Sequence, residues 1–133
     1  MYTSRVMLAA RLYGSRAFST SVRSRVKIIG SDEAYSQIIT EGTGRKAIVY
    51  FTANWCPPCK MIGPIYDELS AMYNDIDFAK IDVDALNDTT SKAGVRSMPT
   101  FFCFNDGRFQ QSLSFSGADE SLLRNNVKQL NDL

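Results

Sequence analysis

Apolar positions along the chain follow two different spacings, one typical of strands and one typical of helices. Short apolar or alternating runs predict strands, and apolar residues three and four positions apart predict helices. The two kinds of segment alternate after residue 25, which indicates an α/β domain. The predicted strands are 26–29, 47–52, 78–83, 100–104 and 109–115, and the predicted helices are 31–40, the segment after residue 56, 87–93 and 118–130.

Local signals mark the ends of several of these elements. Ser31 is a natural N-cap, and Asp32 and Glu33 in the next turn suit the dipole of a helix. The run 47–52 is apolar at nearly every position, as expected for a central strand covered on both faces. Asn-Asp-Gly at 105–107 is a hairpin turn signal, so we expect 109–115 to return antiparallel to 100–104.

The segment after residue 56 has the longest helical pattern. Pro64 lies inside it and cannot donate to the Lys60 carbonyl, so we expect a kink in the helix. In the last helix, Leu123, Val127 and Leu130 share the face expected to point to the core. The apolar positions of the segment after residue 56 are Ile62, Ile65, Tyr66, Leu69, Met72 and Tyr73.

Length and composition favour one compact domain with a hydrophobic core. The chain has 133 residues, of which 44% are hydrophobic and 22% are charged, so it does not resemble a small disulfide-stapled protein. No apolar run approaches the roughly 20 residues of a membrane span. The net charge is only +1, which gives no sign of nucleic-acid binding.

Residues 1–24 differ in charge from the rest of the chain. They contain Arg5, Arg11, Arg16 and Arg23 and no acidic residue, whereas residues 25–133 hold 11 basic and 14 acidic residues, a net charge of −3. A basic, Ser-rich leader without acids is typical of a mitochondrial transit peptide. We therefore expect residues 1–24 to be cleaved, a mature domain over 25–133, and a location in the mitochondrial matrix.

Two cleavage patterns overlap in this leader. Arg16-Ala17-Phe18-Ser19 resembles a presequence-peptidase site cut after Phe18, and Arg16, Phe18 and Ser21 equally suit a second trimming step near Arg25. Both positions stay open. The arginines interrupt any apolar stretch long enough for a secretory signal, and a plain disordered tail is the other alternative.

Candidate chemistry is concentrated in Trp55-Cys56-Pro57-Pro58-Cys59-Lys60, between the predicted strand 47–52 and the helix that follows. Two thiols with this spacing at the start of a helix can form and break a disulfide, and the helix dipole favours the thiolate of the first. The motif and its position therefore favour disulfide exchange as the function.

Two other uses of the cysteine pair fit the sequence less well. A structural zinc site needs about four ligands, but the chain has no His and only Cys103 beyond the pair. A permanent disulfide would close a very small loop and would restrict the unfolded chain little. We expect neither a metal nor a cofactor, and we expect Cys103 to pack as a small hydrophobic residue on its strand.

Over about residues 26–132 the chain resembles the thioredoxin family. The resemblance implies a thioredoxin fold, with a central five-stranded mixed sheet flanked by four helices, and the activity of a protein-disulfide reductase, expected to be a monomer. The residues that carry it, in the family's order and spacing, are Phe51, Ala53, Trp55, Cys56, Pro58, Cys59, Lys60, Pro64, Lys80, Asp82, Pro99, Thr100, Gly107 and Gly117.

The resemblance also implies roles for individual residues. Cys56 would be the exposed nucleophile that attacks a substrate disulfide, and Cys59, more buried, would resolve the mixed disulfide. Met98-Pro99 matches the family's cis-proline loop, which would face the pair and let a bound peptide pair with the Met98 backbone. The residues expected to bind substrate are Trp55, Pro57, Pro58, Met98, Pro99, Gly117 and Ala118.

Two positions depart from the family pattern. Tyr50 replaces a buried Asp that is thought to accept or relay the proton of the resolving thiol, often with the lysine matched here by Lys80. A phenol with an ordinary pKa of about 10 cannot act as a base near neutrality, so Cys59 would have to use water or the departing Cys56 thiolate. Pro57 replaces a Gly and removes an amide donor, which should change the reduction potential.

The resemblance implies partners as well. Disulfide-containing proteins such as peroxiredoxins are the expected substrates, and a thioredoxin reductase is the expected electron donor. The main alternative is a thioredoxin-like adaptor or assembly factor that binds partner proteins without turnover. Tyr50 keeps that alternative open, although a binding module needs no resolving thiol. A thiol-oxidising or isomerising role fits a single-domain matrix protein less well.

Overall fold

The computed structural model describes residues 23–133, so most of the predicted leader lies outside the described residues. Within them, no helix is both long and apolar enough to span a bilayer. The strands are β1 (Lys27–Ile28), β2 (Lys46–Thr52), β3 (Ile76–Asp82), β4 (Thr100–Asn105), β5 (Arg108–Phe109) and β6 (Phe115–Ser116). The α-helices are α1 (Asp32–Ile39), α2 (Pro57–Met72), α3 (Asn87–Ala93) and α4 (Glu120–Asp132).

The strands form one mixed sheet in the order β1-β3-β2-β4-β5, with β6 pairing along β4. β1, β3 and β2 run parallel, while β4 runs antiparallel to β2, β5 and β6. The carboxyl ends of β2 and β3 therefore lie at the same edge of the sheet. The predicted α/β thioredoxin fold, a mixed sheet with four flanking α-helices in the described part of the chain, is confirmed.

β2 is the central strand, as its apolar run predicts. Its residues 47–51 are all buried, because β3 and β4 flank it and helices cover both faces of the sheet. Ile48, Val49 and Phe51 have no exposed surface. This rigid strand ends at Thr52, a few residues before the cysteine pair.

The predicted strand 109–115 is wrong in one respect, since it is interrupted by a short 3-10 helix, Gln111–Leu113. The Ser114 hydroxyl accepts a hydrogen bond from the Cys103 N–H at 2.9 Å and donates one to the Gln110 carbonyl at 2.8 Å. A side chain thus replaces a backbone partner in the ladder. Two short antiparallel strands, β5 and β6, remain on either side.

Caps explain where the first and last helices begin. The Ser31 hydroxyl accepts from the Ala34 N–H at 3.1 Å, as expected for the predicted N-cap of α1. Asp119 accepts from the Leu122 N–H at 3.0 Å, so α4 begins at Glu120 and not at the predicted residue 118. Leu123, Val127 and Leu130 are fully buried, which confirms the predicted inner face.

Candidate functional site

The cysteine pair lies where β2 leads into α2. Cys56 is the N-cap of α2, and Pro57 and Pro58 occupy its first turn. Prolines are tolerated there because the first N–H groups of a helix have no partner within the helix. α2 continues through Pro64 as one helix, and the kink expected at that residue stays a prediction.

Cys56 and Cys59 form a disulfide, with their Cα atoms 5.3 Å apart. The Cys59 backbone N–H points at the Cys56 Sγ, with a nitrogen–sulfur distance of 3.2 Å. This donor belongs to the first turn of α2, so it aims the positive end of the helix dipole at the Cys56 sulfur. On its other side the Cys56 Sγ lies 3.6 Å from the Met98 carbonyl oxygen.

Exposure does not distinguish the two cysteines, contrary to the expectation that Cys56 is exposed and Cys59 more buried. Each has 3% of its surface exposed. The disulfide joins the two sulfurs, and the Met98 carbonyl oxygen lies 3.6 Å from the Cys56 sulfur. What distinguishes Cys56 in this oxidised state is the N–H donor that points at its sulfur.

The residues expected to bind substrate surround the pair. Met98 and Pro99 are joined by a cis peptide bond, and Met98 is half-buried beside Cys56. The Gly117 N–H donates to the Pro99 carbonyl at 2.8 Å, which brings Gly117 and Ala118 to this loop. Pro99 itself is buried, and its carbonyl is the acceptor of this hydrogen bond. The exposed members of the set are Trp55, Pro57, Pro58, Gly117 and Ala118.

Trp55 has a partner that the sequence reasoning missed. Trp55 is 62% exposed, and its indole N–H donates to the Asp84 carboxylate at 2.9 Å. Asp84 lies two residues after the end of β3, and β3 is parallel to β2, so the two strand ends meet at one edge of the sheet. An acidic residue just after the predicted strand 78–83 was the sequence signal that could have revealed this partner of Trp55.

Tyr50 lies behind the pair. It is buried, its hydroxyl donates to the Cys59 carbonyl at 2.9 Å, and its ring stacks on Phe101 with a centroid distance of 4.9 Å. Burial raises the pKa of Tyr50 above its ordinary value, and the charge of Asp67 raises it further. Tyr50 is therefore a neutral hydrogen-bond donor near neutral pH, as the sequence predicts for a phenol at this position.

Cys103 lies in β4, away from the motif, and packs in the core as predicted. It has no exposed surface, and its thiol donates to the Leu113 carbonyl with a sulfur–oxygen distance of 3.4 Å. Burial raises its pKa to about 12. A thiol in this state does not act as a nucleophile near neutral pH.

Known proteins share both the sequence and the fold of the chain. A family model described as Thioredoxin matches residues 26–129. The chain is 37% identical to the thioredoxin of Homo sapiens over 105 residues, which is 79% of this chain and 98% of the human protein. It is 38% identical to thioredoxin 1 of Plasmodium falciparum over 104 residues, 78% of this chain and 96% of that protein.

A solved structure agrees with these relatives. The crystal structure of Malassezia sympodialis thioredoxin matches with a TM-score of 0.75 at 32% identity, covering 84% of this chain and 95% of that protein. Together with the Cys56–Cys59 disulfide at the N-terminus of α2, these matches favour redox turnover over a purely binding role. The chain therefore belongs to the thioredoxin family and is a thiol–disulfide oxidoreductase of the protein-disulfide reductase type.

Proposed function

We propose that the protein reduces disulfides in other proteins, with Cys56 as the attacking thiol and Cys59 as the resolving thiol. One observation carries the assignment: the Cys59 N–H lies 3.2 Å from the Cys56 Sγ at the N-cap of α2. A thiolate at that position gains a hydrogen bond and the favourable end of the helix dipole. Cys59, inside the first turn, has no such donor directed at its own sulfur among the hydrogen bonds of the described residues.

The reaction consists of two thiol–disulfide exchanges. The Cys56 thiolate attacks one sulfur of the substrate disulfide, that disulfide breaks, and the released sulfur takes up a proton. The Cys59 thiolate then attacks the Cys56 Sγ of the mixed disulfide, and the second substrate sulfur leaves as a thiolate and takes up a proton. The substrate has gained two electrons and two protons. The protein ends with the Cys56–Cys59 disulfide, the state described above.

The surface around the pair suits a protein substrate. Trp55, Pro57 and Pro58 offer exposed apolar area on one side of the disulfide, and Gly117 and Ala118 offer a small, open surface on the other. The Met98 backbone between them can pair with an extended peptide, as an added strand pairs with a sheet edge. Pro99 holds the Gly117 backbone through its carbonyl.

A trapping experiment tests the assignment of the two cysteines. Cys59→Ser should accumulate a covalent complex with a substrate protein, because the mixed disulfide forms and cannot be resolved. Cys56→Ser should accumulate none. Non-reducing gels with a disulfide-containing peroxiredoxin as substrate measure both. Equal trapping by the two variants would overturn the assignment.

The partners and location belong to the same proposal. A dithiol-generating thioredoxin reductase regenerates the pair, peroxiredoxins are among the substrates, and the protein acts as a monomer in the mitochondrial matrix. The acid-free, Arg-containing residues 1–24 support import. N-terminal sequencing of protein from its own cells should find a start between residues 19 and 26. A start at Met1 or Tyr2 on organelle protein would contradict it.

A further inference from the structure

A cleft of about 310 Å³ opens to solvent behind the cysteine pair. It lies between β2, β3 and α2. Its walls include Tyr50 from β2, Cys59 and Asp67 from α2, and Lys80 from β3. Tyr50 and Lys80 are direct neighbours in the parallel register of β2 and β3.

The shape of the cleft depends on a residue with no side chain. A Cβ atom added at Gly63 would meet the Tyr50 hydroxyl oxygen at 3.9 Å, and this is its sole contact within 4 Å. Gly63 therefore adds no side chain to the wall of the cleft beside the Tyr50 hydroxyl.

Asp67 is the carboxylate that faces this space. The titratable or charged groups that line the cleft are Tyr50, Cys59, Lys60, Asp67 and Lys80, and Asp67 is the acidic one among them. Its Oδ1 accepts a hydrogen bond from the Ser24 hydroxyl at 3.0 Å, and no residue of 23–133 donates to its Oδ2. Among residues 23–133, neither Asp67 nor Lys80 forms an ion pair.

The electrostatic influence of Asp67 reaches the Cys59 end of the cleft. After burial, the charge of Asp67 contributes to raising the pKa of Tyr50, and the hydroxyl of Tyr50 is bonded to the Cys59 carbonyl. Tyr50 holds its proton and cannot accept another at its hydroxyl as a base would. Resolution nevertheless needs the Cys59 thiol to lose its proton.

We propose that Asp67 is the proton acceptor for Cys59 during resolution, acting through water in the cleft. This inference rests on the proposed function. The Cys59 S–H bond breaks and its proton passes through water to the Asp67 carboxylate. The Cys59 sulfur then bonds to the Cys56 Sγ, and the substrate sulfur leaves with the electron pair. Asp67 later returns the proton to solvent at the open end of the cleft.

The two exchange steps can be followed separately with a chromogenic disulfide. The fully reduced, full-length protein is mixed with one equivalent of dithiobis-nitrobenzoate in a stopped-flow instrument. The first coloured thiolate reports attack by Cys56, and the second reports resolution by Cys59. Wild type, Asp67→Asn and Asp75→Asn are compared from about pH 6 to about pH 9. Asp75 is exposed and outside the cleft, so Asp75→Asn removes the same charge as Asp67→Asn without changing the cleft.

Asp67→Asn should leave the first phase unchanged and slow the second by about tenfold near neutral pH, because it loses a general base. The second phase should also become steeper with pH, and added imidazole should restore part of its rate. Asn keeps an oxygen for the Ser24 hydroxyl, and urea midpoints verify folding. Asp75→Asn should behave as wild type.

The possible results separate the two proposals. A second phase in Asp67→Asn within twofold of wild type, with the same pH profile, would overturn the role of Asp67. An accelerated second phase would do so too, since removing a negative charge that merely raises the pKa of Cys59 favours its thiolate. Absence of a first phase in wild type would instead contradict the proposed function.

Discussion

Cysteine occurs in two buried environments in this protein, and their difference explains where its chemistry lies. Cys56 and Cys59 are each 3% exposed, and Cys103 is 0% exposed. Burial alone would make all three unreactive. The Cys56 sulfur receives the Cys59 N–H at the start of α2, whereas the Cys103 thiol donates to the Leu113 carbonyl from the middle of β4.

The contrast follows from the secondary structure that carries each sulfur. In a sheet, backbone donors are used by neighbouring strands, and the Cys103 N–H is itself bonded to the Ser114 hydroxyl. The first turn of a helix has donors without partners inside the helix. A cysteine at an N-cap can use one of them, so a buried sulfur there can still be stabilised as an anion.

The largest expected effect tests this contrast directly. Cys56→Ser should lower insulin reduction driven by dithiothreitol by about a thousandfold or more, because the attacking sulfur is gone. Cys103→Ala should keep turnover within about twofold of wild type once folding is verified. A large loss of activity in Cys103→Ala at normal stability would break the comparison, because it would give the strand cysteine a part in catalysis.

Alkaline unfolding should reveal the cost of ionising a buried thiol. The pKa of Cys103 rises from 9.0 to about 12 on burial, so its neutral form stabilises the fold below pH 9. That stability is lost as pH rises toward 12, because the unfolded chain ionises first. The stability advantage of the oxidised wild type over oxidised Cys103→Ala should shrink by about 1.4 kcal/mol per pH unit in this window.

Urea unfolding of both proteins at several pH values measures that difference. Burial raises the pKa of Tyr35 to about 12, but Tyr35 titrates in both proteins, so its contribution cancels in the difference between them. The disulfide cysteines do not titrate. A difference that stays constant from pH 9 to pH 12 would mean that Cys103 is as free to ionise in the folded protein as in the unfolded one.

Sequence patterns predicted the elements well where local signals and tertiary packing agree. Helix 87–93, the Ser31 cap and the apolar strand 47–52 are such cases. Strand 109–115 failed because the Ser114 hydroxyl takes the place of a ladder partner, which periodicity does not register. The spacing of residues along the chain determines the elements that were predicted correctly, whereas a specific side-chain contact determines where strand 109–115 is interrupted.

The candidate site was predictable in its residues and less so in their surroundings. The motif located Cys56 and Cys59, but the exposure expected for Cys56 was wrong: Cys56 is 3% exposed, and its sulfur lies 3.6 Å from the carbonyl of Met98, 42 residues away. Asp84 reaches Trp55 across 29 residues, and Asp67 shares a cleft with Lys80. The Trp55–Asp84 and Asp67–Lys80 pairs arise from the packing of β2, β3, α2 and the residues that follow β3, so no local pattern shows them.

A smaller effect tests whether the pair is stabilised from behind. Tyr50→Phe removes the hydroxyl that bonds the Cys59 carbonyl and should lower the free energy of unfolding of the oxidised protein by about 1 kcal/mol. Tyr73→Phe is the matched control, since no side-chain hydrogen bond involves Tyr73 within the described region and the ring is only partly buried. Equal urea midpoints for the two variants would show that the Tyr50 hydrogen bond contributes nothing.

The smallest expected effect concerns the exposed residues beside the cysteine pair. Substitutions there should cost little stability, because the side chains face solvent, whereas Cys103 is surrounded by the core. Asp84→Ala removes the acceptor of the Trp55 indole N–H and should change the free energy of unfolding by less than about 0.5 kcal/mol, because both groups are exposed. The Trp55 ring should lose its fixed position beside Cys56.

Trp55 is the one tryptophan of the chain, so tryptophan fluorescence reports this position without interference. The change in emission between oxidised and reduced protein should shrink, and KM for a protein substrate should rise by about twofold, since a mobile ring must be ordered again on binding. Asp75→Ala, which removes an exposed carboxylate elsewhere, should alter neither quantity. An unchanged redox response of Trp55 in Asp84→Ala would mean that the ring is held by packing on the motif alone, and the hydrogen bond to Asp84 would then have no part in shaping the substrate surface.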